Sequence, residues 1–175
     1  TTGLDIDNDK IIEVGIVRLK DGEVIDQYAS MVDPGIQIPS QTTYITGIQQ
    51  EDVDGAPSID DILPDISAFI GDAPIIAHNI SLDMGFLQQR HGIVKNNKSI
   101  DTYDLATILL PGAPRYNLNS LATQVGIELE NAHRALDDAR AAGLLYWELW
   151  KRLIQLPHTI LQEISTASTS VDWST

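Results

Sequence analysis

The chain has 175 residues, no cysteine and a formal net charge of −14. A chain of this length is expected to form one domain, and it contains no apolar run approaching the roughly 18 residues that span a membrane. The missing cysteines exclude disulfides and thiolate metal sites. The negative charge argues against nucleic-acid binding through a broad basic face. It does not argue against a pocket in which metal cations neutralise the phosphates of one strand end. This composition agrees with a cytoplasmic protein.

The N-terminal part of the chain predicts a β-hairpin. Residues 11–20 and 23–33 are rich in β-forming side chains. The Asp21-Gly22 pair between them is a strong signal for a tight hairpin turn. A short helix is expected after the hairpin, within residues 41–50.

The next segment predicts an amphipathic helix from Ser58 to Ile70. Ser58 and Asp61 form a start that resembles a capping box, and apolar residues recur every three or four positions after it. Pro64 cannot donate a helix hydrogen bond, so a kink is expected there.

From residue 74 onward, strands alternate with helices. The expected elements are strands at 74–77 and ending at Ile100, and helices at 81–90, at 102–110 after an Asp101 cap, at 118–125 after an Asn117 cap, at 135–154 and at 159–164. A hairpin followed by this alternation indicates an α/β fold with a mixed sheet flanked by helices. The longest helix is expected to bury one face, made of Leu136, Ala139, Gly143, Tyr146, Trp147, Trp150 and Ile154.

The chain divides at the end of the longest helix. Residues 1–154 are expected to form the domain, and residues 155–175 a short helix followed by a linker. The linker prediction rests on the many Ser and Thr residues in 165–175. Trp173 in this polar tail suggests docking against a partner.

The segment AHNISLDMGFL, residues 77–87, is the first with residues suited to chemistry. His78 and Asn79 lie where a buried strand ends, which is a common site position in open α/β sheets. On a helix Asp83 shares a face with the apolar side chains three and four positions later, and a carboxylate there is costly unless it is paired or binds a metal. The alternative is that Asp83 only caps the helix or lies at the edge of the apolar face.

The segment AHRALDDAR, residues 132–140, is the second segment with residues suited to chemistry. His133 and Asp138 would lie about 140° apart around a continuous helix, so they converge only if His133 lies in the preceding loop and Asp138 in the first turn. There the helix N-terminus favours a carboxylate, and a loop histidine can reach a metal-bound water. The alternative is an acidic first turn with a solvent-facing histidine.

Together these segments resemble the DnaQ-like 3′–5′ exonucleases, the DEDDh branch of the ribonuclease-H-like superfamily. The motifs of that family are D-x-E-T-T-G-L, H-N-x-x-x-D and H-x-x-x-x-D, and TTGL at 1–4, HNISLD at 78–83 and HRALDD at 133–138 follow them in order. ITGI at 45–48 is similar to the HGI segment of the family, with Thr in place of the frequent His. The resemblance covers roughly residues 1–154.

The resemblance implies a ribonuclease-H-like mixed sheet and hydrolysis of phosphodiester bonds at 3′ ends of nucleic acid, with single-stranded DNA as the expected substrate. It implies two Mg²⁺ or Mn²⁺ ions held by four carboxylates. By position, Asp83 and Asp138 would be metal ligands and His133 the general base, so these three residues would be catalytic.

The resemblance also implies a pocket for the terminal nucleotide. The residues that would line it are Thr1, Thr2, Gly3, Leu4, Asn79 and Leu82. Leu82 stands where the family often has an aromatic residue, which softens base packing but leaves the chemistry intact.

The first motif of the family begins before Thr1. Its Asp and Glu would stand three and one positions earlier, outside the sequence. We therefore expect a truncated first strand, and we expect the chain by itself to be inactive or nearly so.

Two other functions stay open. The chain could be a non-catalytic interaction module derived from this fold, although it retains Asp83, His133 and Asp138 together. It could instead be a metal-dependent hydrolase of small nucleotides. The choice between DNA and RNA also stays open, because recognition of the 2′-hydroxyl depends on details of the pocket.

The parent protein has two candidates. Residues 156–174 are similar to the junction after the exonuclease domain of DinG-type helicases, and a helicase domain would supply the DNA affinity that this acidic chain lacks. The alternative parent is a polymerase context, in the form of a proofreading subunit of the DNA polymerase III epsilon type.

Overall fold

The computed structural model of the chain describes residues 1–128 and 133–168. Its strands are β1 (Glu13–Lys20), β2 (Glu23–Met31), β3 (Ile75–Ala77) and β4 (Ser99–Asp101). Its helices are α1 (Ser40–Thr46), α2 (Gln50–Val53), α3 (Ile59–Ile70), α4 (Ser81–Met84), α5 (Thr102–Leu109), α6 (Leu118–Gln124), α7 (Ala135–Leu153) and α8 (His158–Ser168), and a π-helical segment, Gly85–Arg90, continues α4. In these two ranges no helix combines the length and the apolar character needed to cross a membrane.

The predicted hairpin is confirmed, since β1 and β2 pair in antiparallel fashion. Asp21 and Gly22 in its turn both have left-handed backbone angles, with φ of 52° and 86°, as the tight turns favoured by Asp-Gly require. The turn also packs against α7, because a Cβ on Gly22 would overlap the indole of Trp147. Glycine therefore serves both the turn and its contact with the helix.

The other two strands, β3 and β4, are parallel, with Ile75 opposite Ser99 and Ala77 opposite Asp101. The described strands thus form two small sheets, one antiparallel and one parallel, and α7 packs on strands of both. This arrangement confirms the mixed α/β fold class, although the described strands form two separate sheets. The parallel pair needs a crossover connection, and this connection contains α4 and its π-helical continuation.

The helix α7 is buried on two sides, because it lies between the hairpin and the helices α5 and α6. Gly143 faces side chains of β1, while Leu145 and Leu149 belong to the core that α5 and α6 complete. The predicted buried face of this helix was wrong in part: Gly143 is buried, whereas Trp150 and Ile154 are 39% and 57% exposed. The prediction followed the large aromatic residues, whereas a helix between two layers buries its small residues against the strands and its leucines against the helices.

Several predicted helix ends are confirmed. Ser58, Asp101 and Asn117 each accept a hydrogen bond from a backbone N–H in the first turn of α3, α5 and α6. The helix α3 contains Pro64 and runs on to Ile70. These caps satisfy backbone donors that the first turn of a helix leaves free.

The C-terminal helix is longer than predicted. α8 continues to Ser168 and so includes part of the segment expected to be a linker. The rest of that segment, including Trp173, lies outside the described residues. The proposed division at residue 154 stays a prediction.

The helix predicted at 81–90 changes its hydrogen-bonding pattern at Gly85. Gly85 lies so close to the side chain of Ile6 that a Cβ would overlap it. Arg90, at the end of the π-helical segment, donates hydrogen bonds to the backbone carbonyls of Ile6 and Asp9. The segment thereby fixes the loop after the first four residues to the helix α4, and π-helical segments of this kind are frequent at functional sites.

A buried carboxylate shapes the turn between β3 and α4. Asp101, 5% exposed, accepts hydrogen bonds from the backbone N–H groups of Asn79 and Ile80 at 3.0 and 2.9 Å. Asn79 has a left-handed backbone, with φ of 62°, which costs free energy in any residue other than glycine. The two hydrogen bonds that Asp101 accepts offset that cost and fix the start of α4.

His78 fixes the same turn from its other side. Its Nδ1 lies 2.9 Å from the Thr102 hydroxyl, and its Nε2 lies 2.8 Å from the carbonyl oxygen of Tyr116. Because a carbonyl only accepts hydrogen bonds, we place the proton of neutral His78 on Nε2. Both ring nitrogens are thus engaged within the fold, and burial lowers the pKa of His78.

We predict that Gly15→Ala destabilises the fold. A Cβ there would overlap backbone atoms of Ala135 and Leu136 in the first turn of α7, and backbone atoms cannot rotate away. The free energy of unfolding, measured by urea denaturation, should fall by about 1–3 kcal/mol, as for overpacked cores. Gly112→Ala is the matched control, because a Cβ at Gly112 finds no atom within 4 Å. Equal stability of the two variants would contradict the close approach of β1 and α7.

We also predict that His78 makes stability depend on pH. Its pKa is lowered in the folded state, so the unfolded chain takes up the proton first as the pH falls through the ordinary histidine value of about 6.5. The stabilisation by neutral His78 is complete above that pH and is lost below it. His78→Gln should lose less stability than the wild type between about pH 7 and pH 5 in urea denaturation. His158→Gln is the control, because His158 is exposed and its replacement should leave the pH dependence of stability unchanged. A wild-type pH dependence in His78→Gln would disprove the prediction.

Candidate active site

Asp83 lies in α4, on the helix that the turn at Asn79 introduces. Its side chain is exposed to solvent, yet burial by the surrounding protein raises its pKa to about 6, with a further contribution from Asp101. The two observations describe a carboxyl group that water reaches but that the surrounding protein leaves less well solvated than in bulk water. An anionic Asp83 is therefore poorly solvated at this position.

Asn79 and Leu82 lie within one helical turn of Asp83. The side chain of Asn79 is exposed, so its amide is accessible to a ligand. Leu82 is partly buried and packs against the core cluster that contains Ile11 and Phe86. The rest of the Leu82 surface is free to line a pocket, so its predicted role stays a prediction.

The first four residues form a tightly held turn. The Thr1 hydroxyl donates to the carbonyl of Gly3 at 2.6 Å, and the buried Thr2 hydroxyl donates to the carboxylate of Asp9 at 2.8 Å. The hydroxyl of Thr42, in α1, donates to the carbonyl of Thr2 at 2.6 Å. This turn is anchored from two sides, whereas the side chain of Leu4 is 77% exposed.

The third family motif, HRALDD at 133–138, has the local arrangement that would let His133 and Asp138 converge. His133 precedes α7 with a left-handed backbone, φ of 69°, and Asp138 lies in the first turn of the helix. The backbone N–H of His133 points to the carboxylate of Asp138, with nitrogen and oxygen 3.4 Å apart. Burial raises the pKa of Asp138, and the negative charges of Asp137 and Glu13 raise it further. The side chain of His133 is exposed.

Electrostatic interactions connect these segments. The backbone nitrogen of Thr1 lies within electrostatic range of Glu13, Asp9 and Asp83. Glu13 in turn acts on Asp138. The turn at the N-terminus, α4, the start of β1 and the start of α7 therefore share one acidic environment.

This environment matches part of a divalent-cation site. Within residues 1–128 and 133–168, no three acidic or histidine side chains come close enough together to hold a metal. Asp83 and Asp138 nevertheless offer the oxygen ligands that Mg²⁺ and Mn²⁺ prefer. Each carries a raised pKa because of burial, so a cation would relieve an unfavourable charge. Each of the two carboxyl groups therefore has the chemistry of a metal ligand.

The sequence did not single out two acidic residues of this environment, Asp9 and Glu13. Asp9 accepts hydrogen bonds from the Thr2 hydroxyl and from the backbone N–H of Asp5, and Glu13 contacts the start of α7. Asp9 stands in the run DIDND, and Glu13 directly follows two apolar residues at the start of a strand. Such positions are also common for solvated charges, so only the long-range contacts distinguish them.

Residues 1–146 match the family described as RNase_T, exonuclease. The DNA polymerase III PolC-type of Clostridium perfringens is 44% identical over 146 residues, and that of Oceanobacillus iheyensis is 39% identical over 159 residues. These matches cover 82% and 89% of the chain but 10% and 11% of the relatives. The chain thus spans about a tenth of the length of these curated relatives.

These relatives correct the expected parent. They are named as polymerases rather than DinG-type helicases, so the similarity of residues 156–174 to a helicase junction finds no support. The polymerase alternative agrees with them better, although the relatives are long PolC-type chains rather than small epsilon-type subunits.

A solved structure of Exonuclease X in complex with 5′ overhanging duplex DNA has a similar fold, with a TM-score of 0.72 and 26% identity. The similarity covers 86% of this chain and 87% of that chain. Together with the family match and the identity to the PolC-type polymerases, it shows that the chain belongs to the RNase_T family of DnaQ-like exonucleases and has a ribonuclease-H-like fold.

Proposed function

We propose that the chain is a metal-dependent 3′–5′ exonuclease domain that acts in the cytoplasm on single-stranded DNA ends. The observation that carries the proposal is the pair of aspartates, Asp83 and Asp138, whose pKa values burial raises in a chain of the exonuclease family. Structural carboxylates are normally paired with cations or placed in water. Two under-solvated carboxylates at motif positions are typical of a site that receives a cation.

The proposed roles come from the family motifs, and the placement of each residue is compatible with them. Asp83 and Asp138 would hold Mg²⁺ or Mn²⁺. When bound, these ions activate water and stabilise the charge on a scissile phosphate. His133, exposed in the loop before α7, would accept a proton from the attacking water. The bond from phosphorus to the 3′ oxygen of the preceding nucleotide then breaks, giving a nucleoside 5′-monophosphate and a strand one nucleotide shorter.

The anchored N-terminal turn would receive the terminal nucleotide. Thr1, Thr2 and Gly3 would approach it with their backbone, and the exposed side chain of Leu4 would pack on its base. The exposed amide of Asn79 would contact the same nucleotide, with Leu82 lining the pocket only in part.

We further propose that the domain works within a PolC-type polymerase, because the curated relatives carry that name and the chain covers about a tenth of their length. A net charge of −14 makes tight binding of DNA by the domain alone unfavourable. The remainder of a polymerase would hold the DNA and deliver its 3′ end. Helicase attachment has no comparable support.

We predict that Asp83→Asn abolishes hydrolysis. The test uses the 175 residues preceded by Asp-Ala-Glu, here named the acid-extended chain, which supplies the two acids that the resemblance implies. With 5′-labelled oligo(dT) and Mn²⁺, it should release mononucleotides from the 3′ end, and EDTA should stop the reaction. Asp83→Asn should slow hydrolysis by at least about a hundredfold. Removing a group that only orients a metal ligand usually costs about tenfold to a hundredfold in activity, and removing the ligand itself should cost more. Replacing Asp-Ala-Glu by Asn-Ala-Gln should have a comparable effect.

Asp65→Asn is the matched control, since Asp65 is an exposed carboxylate of α3. It should retain wild-type activity. Full activity in Asp83→Asn would disprove the site assignment. A preference for free nucleoside triphosphates over oligo(dT) would favour a small-nucleotide hydrolase, and binding of oligo(dT) without hydrolysis would favour an interaction module.

A further inference from the structure

Glu13 connects the first residue of β1 to the N-terminus of α7. Its Oε1 accepts hydrogen bonds from Nε and Nη2 of Arg134 at 3.0 and 2.9 Å, and its Oε2 accepts one from the backbone N–H of Ala135 at 2.9 Å. The Glu13 side chain is only 11% exposed, whereas that of Arg134 is 46% exposed. Both carboxylate oxygens are therefore engaged by groups at one helix end.

This contact takes the place of a local helix cap. The N-cap residue of α7 is Arg134, whose side chain makes no capping hydrogen bond. The N–H groups of a first helical turn need acceptors, and the helix N-terminus favours a negative charge. Glu13 supplies both, although it is far from α7 in the sequence. The positive charge of Arg134 neutralises that of the mostly buried Glu13 carboxylate and so offsets the cost of burying it.

A second contact fixes the same helix end. Gly15, two residues further along β1, lies against the backbone of Ala135 and Leu136, where a Cβ would overlap them. Side chains two apart on a strand point to the same face. Glu13 and Gly15 therefore act on the first turn of α7 from one face of β1, one by hydrogen bonding and one by close packing.

We propose that Glu13 is the positioning residue for the third motif. His133 lies two residues before Ala135 and Asp138 three residues after it, in the first turn of α7. Fixing the N–H of Ala135 thus fixes the backbone between the general base and the metal ligand. Glu13 acts through this backbone and is not itself a ligand, because its oxygens already serve Arg134 and Ala135. The inference rests on the proposed function, since it concerns how that site is held in place.

The test compares Glu13→Ala and Arg134→Met in the acid-extended chain. Free Mn²⁺, measured by electron paramagnetic resonance, reports metal affinity without any reaction. Glu13→Ala should weaken Mn²⁺ binding by about tenfold to a hundredfold, the usual effect of losing a group that orients metal ligands. Arg134→Met should have the smaller effect, because it leaves the hydrogen bond from the Ala135 N–H to Glu13 in place. Hydrogen exchange should show lost protection at the Ala135 amide in Glu13→Ala.

Ser58→Ala is the matched control. Ser58 caps α3 as Glu13 caps α7, but α3 carries none of the proposed site residues. Its melting temperature should fall, as that of Glu13→Ala does, while its Mn²⁺ affinity stays that of the wild type. If Glu13→Ala also keeps wild-type affinity, or if the Ala135 amide keeps its protection, the positioning role is overturned.

The outcomes separate this inference from the proposed function. If the unmodified acid-extended chain binds no Mn²⁺ and hydrolyses no oligo(dT), the proposed function fails, and the role of Glu13 fails with it. If that chain binds and hydrolyses but Glu13→Ala behaves like Ser58→Ala, only the role of Glu13 is overturned. Weaker Mn²⁺ binding confined to Glu13→Ala and, to a smaller degree, Arg134→Met supports both.

Discussion

The close packing of α7 on β1 is the constraint on which the rest of the structure depends. Gly15 permits the backbones to approach, Glu13 satisfies the first turn of the helix, and Gly22 admits the indole of Trp147 at the far end of the hairpin. On its other side α7 completes the helical core with Leu145 and Leu149. One helix thus joins the hairpin to the helical layer, and its first turn carries Asp138.

A second network holds the other half of the candidate site. Asp101 and His78 fix the turn after β3 by four hydrogen bonds to different parts of the chain. The strained backbone of Asn79 is kept in place by these contacts, as is usual where a fold prepares a binding position. Buried polar networks of this kind specify a single geometry when all their members are satisfied. A motif residue such as His78 can therefore be structural, while the exposed side chain of Asn79 beside it stays accessible to a ligand.

Charge explains why such a site suits an acidic chain. With a net charge of −14, the chain repels a polyanion such as DNA, so the proposed function requires a bound cation or another part of a larger protein to supply the attraction. Asp83 and Asp138 are under-solvated in the structure, which a divalent cation would relieve. The PolC-type relatives are about ten times as long as the matched segment, which is compatible with the proposal that other parts of a polymerase hold the DNA.

The sequence by itself determined the hairpin, the caps at Ser58, Asp101 and Asn117, the extent of α7 and the order of the motifs. These features depend on local chemistry: a turn that needs left-handed residues, a side chain that caps its own helix, a periodic pattern. The tertiary structure alone decided which faces of α7 are buried, where α4 becomes π-helical, that His78 is a structural residue, and that Glu13 caps a helix far along the chain. Each of these depends on atoms brought together from distant parts of the chain, and neither the spacing nor the type of nearby residues contains that information.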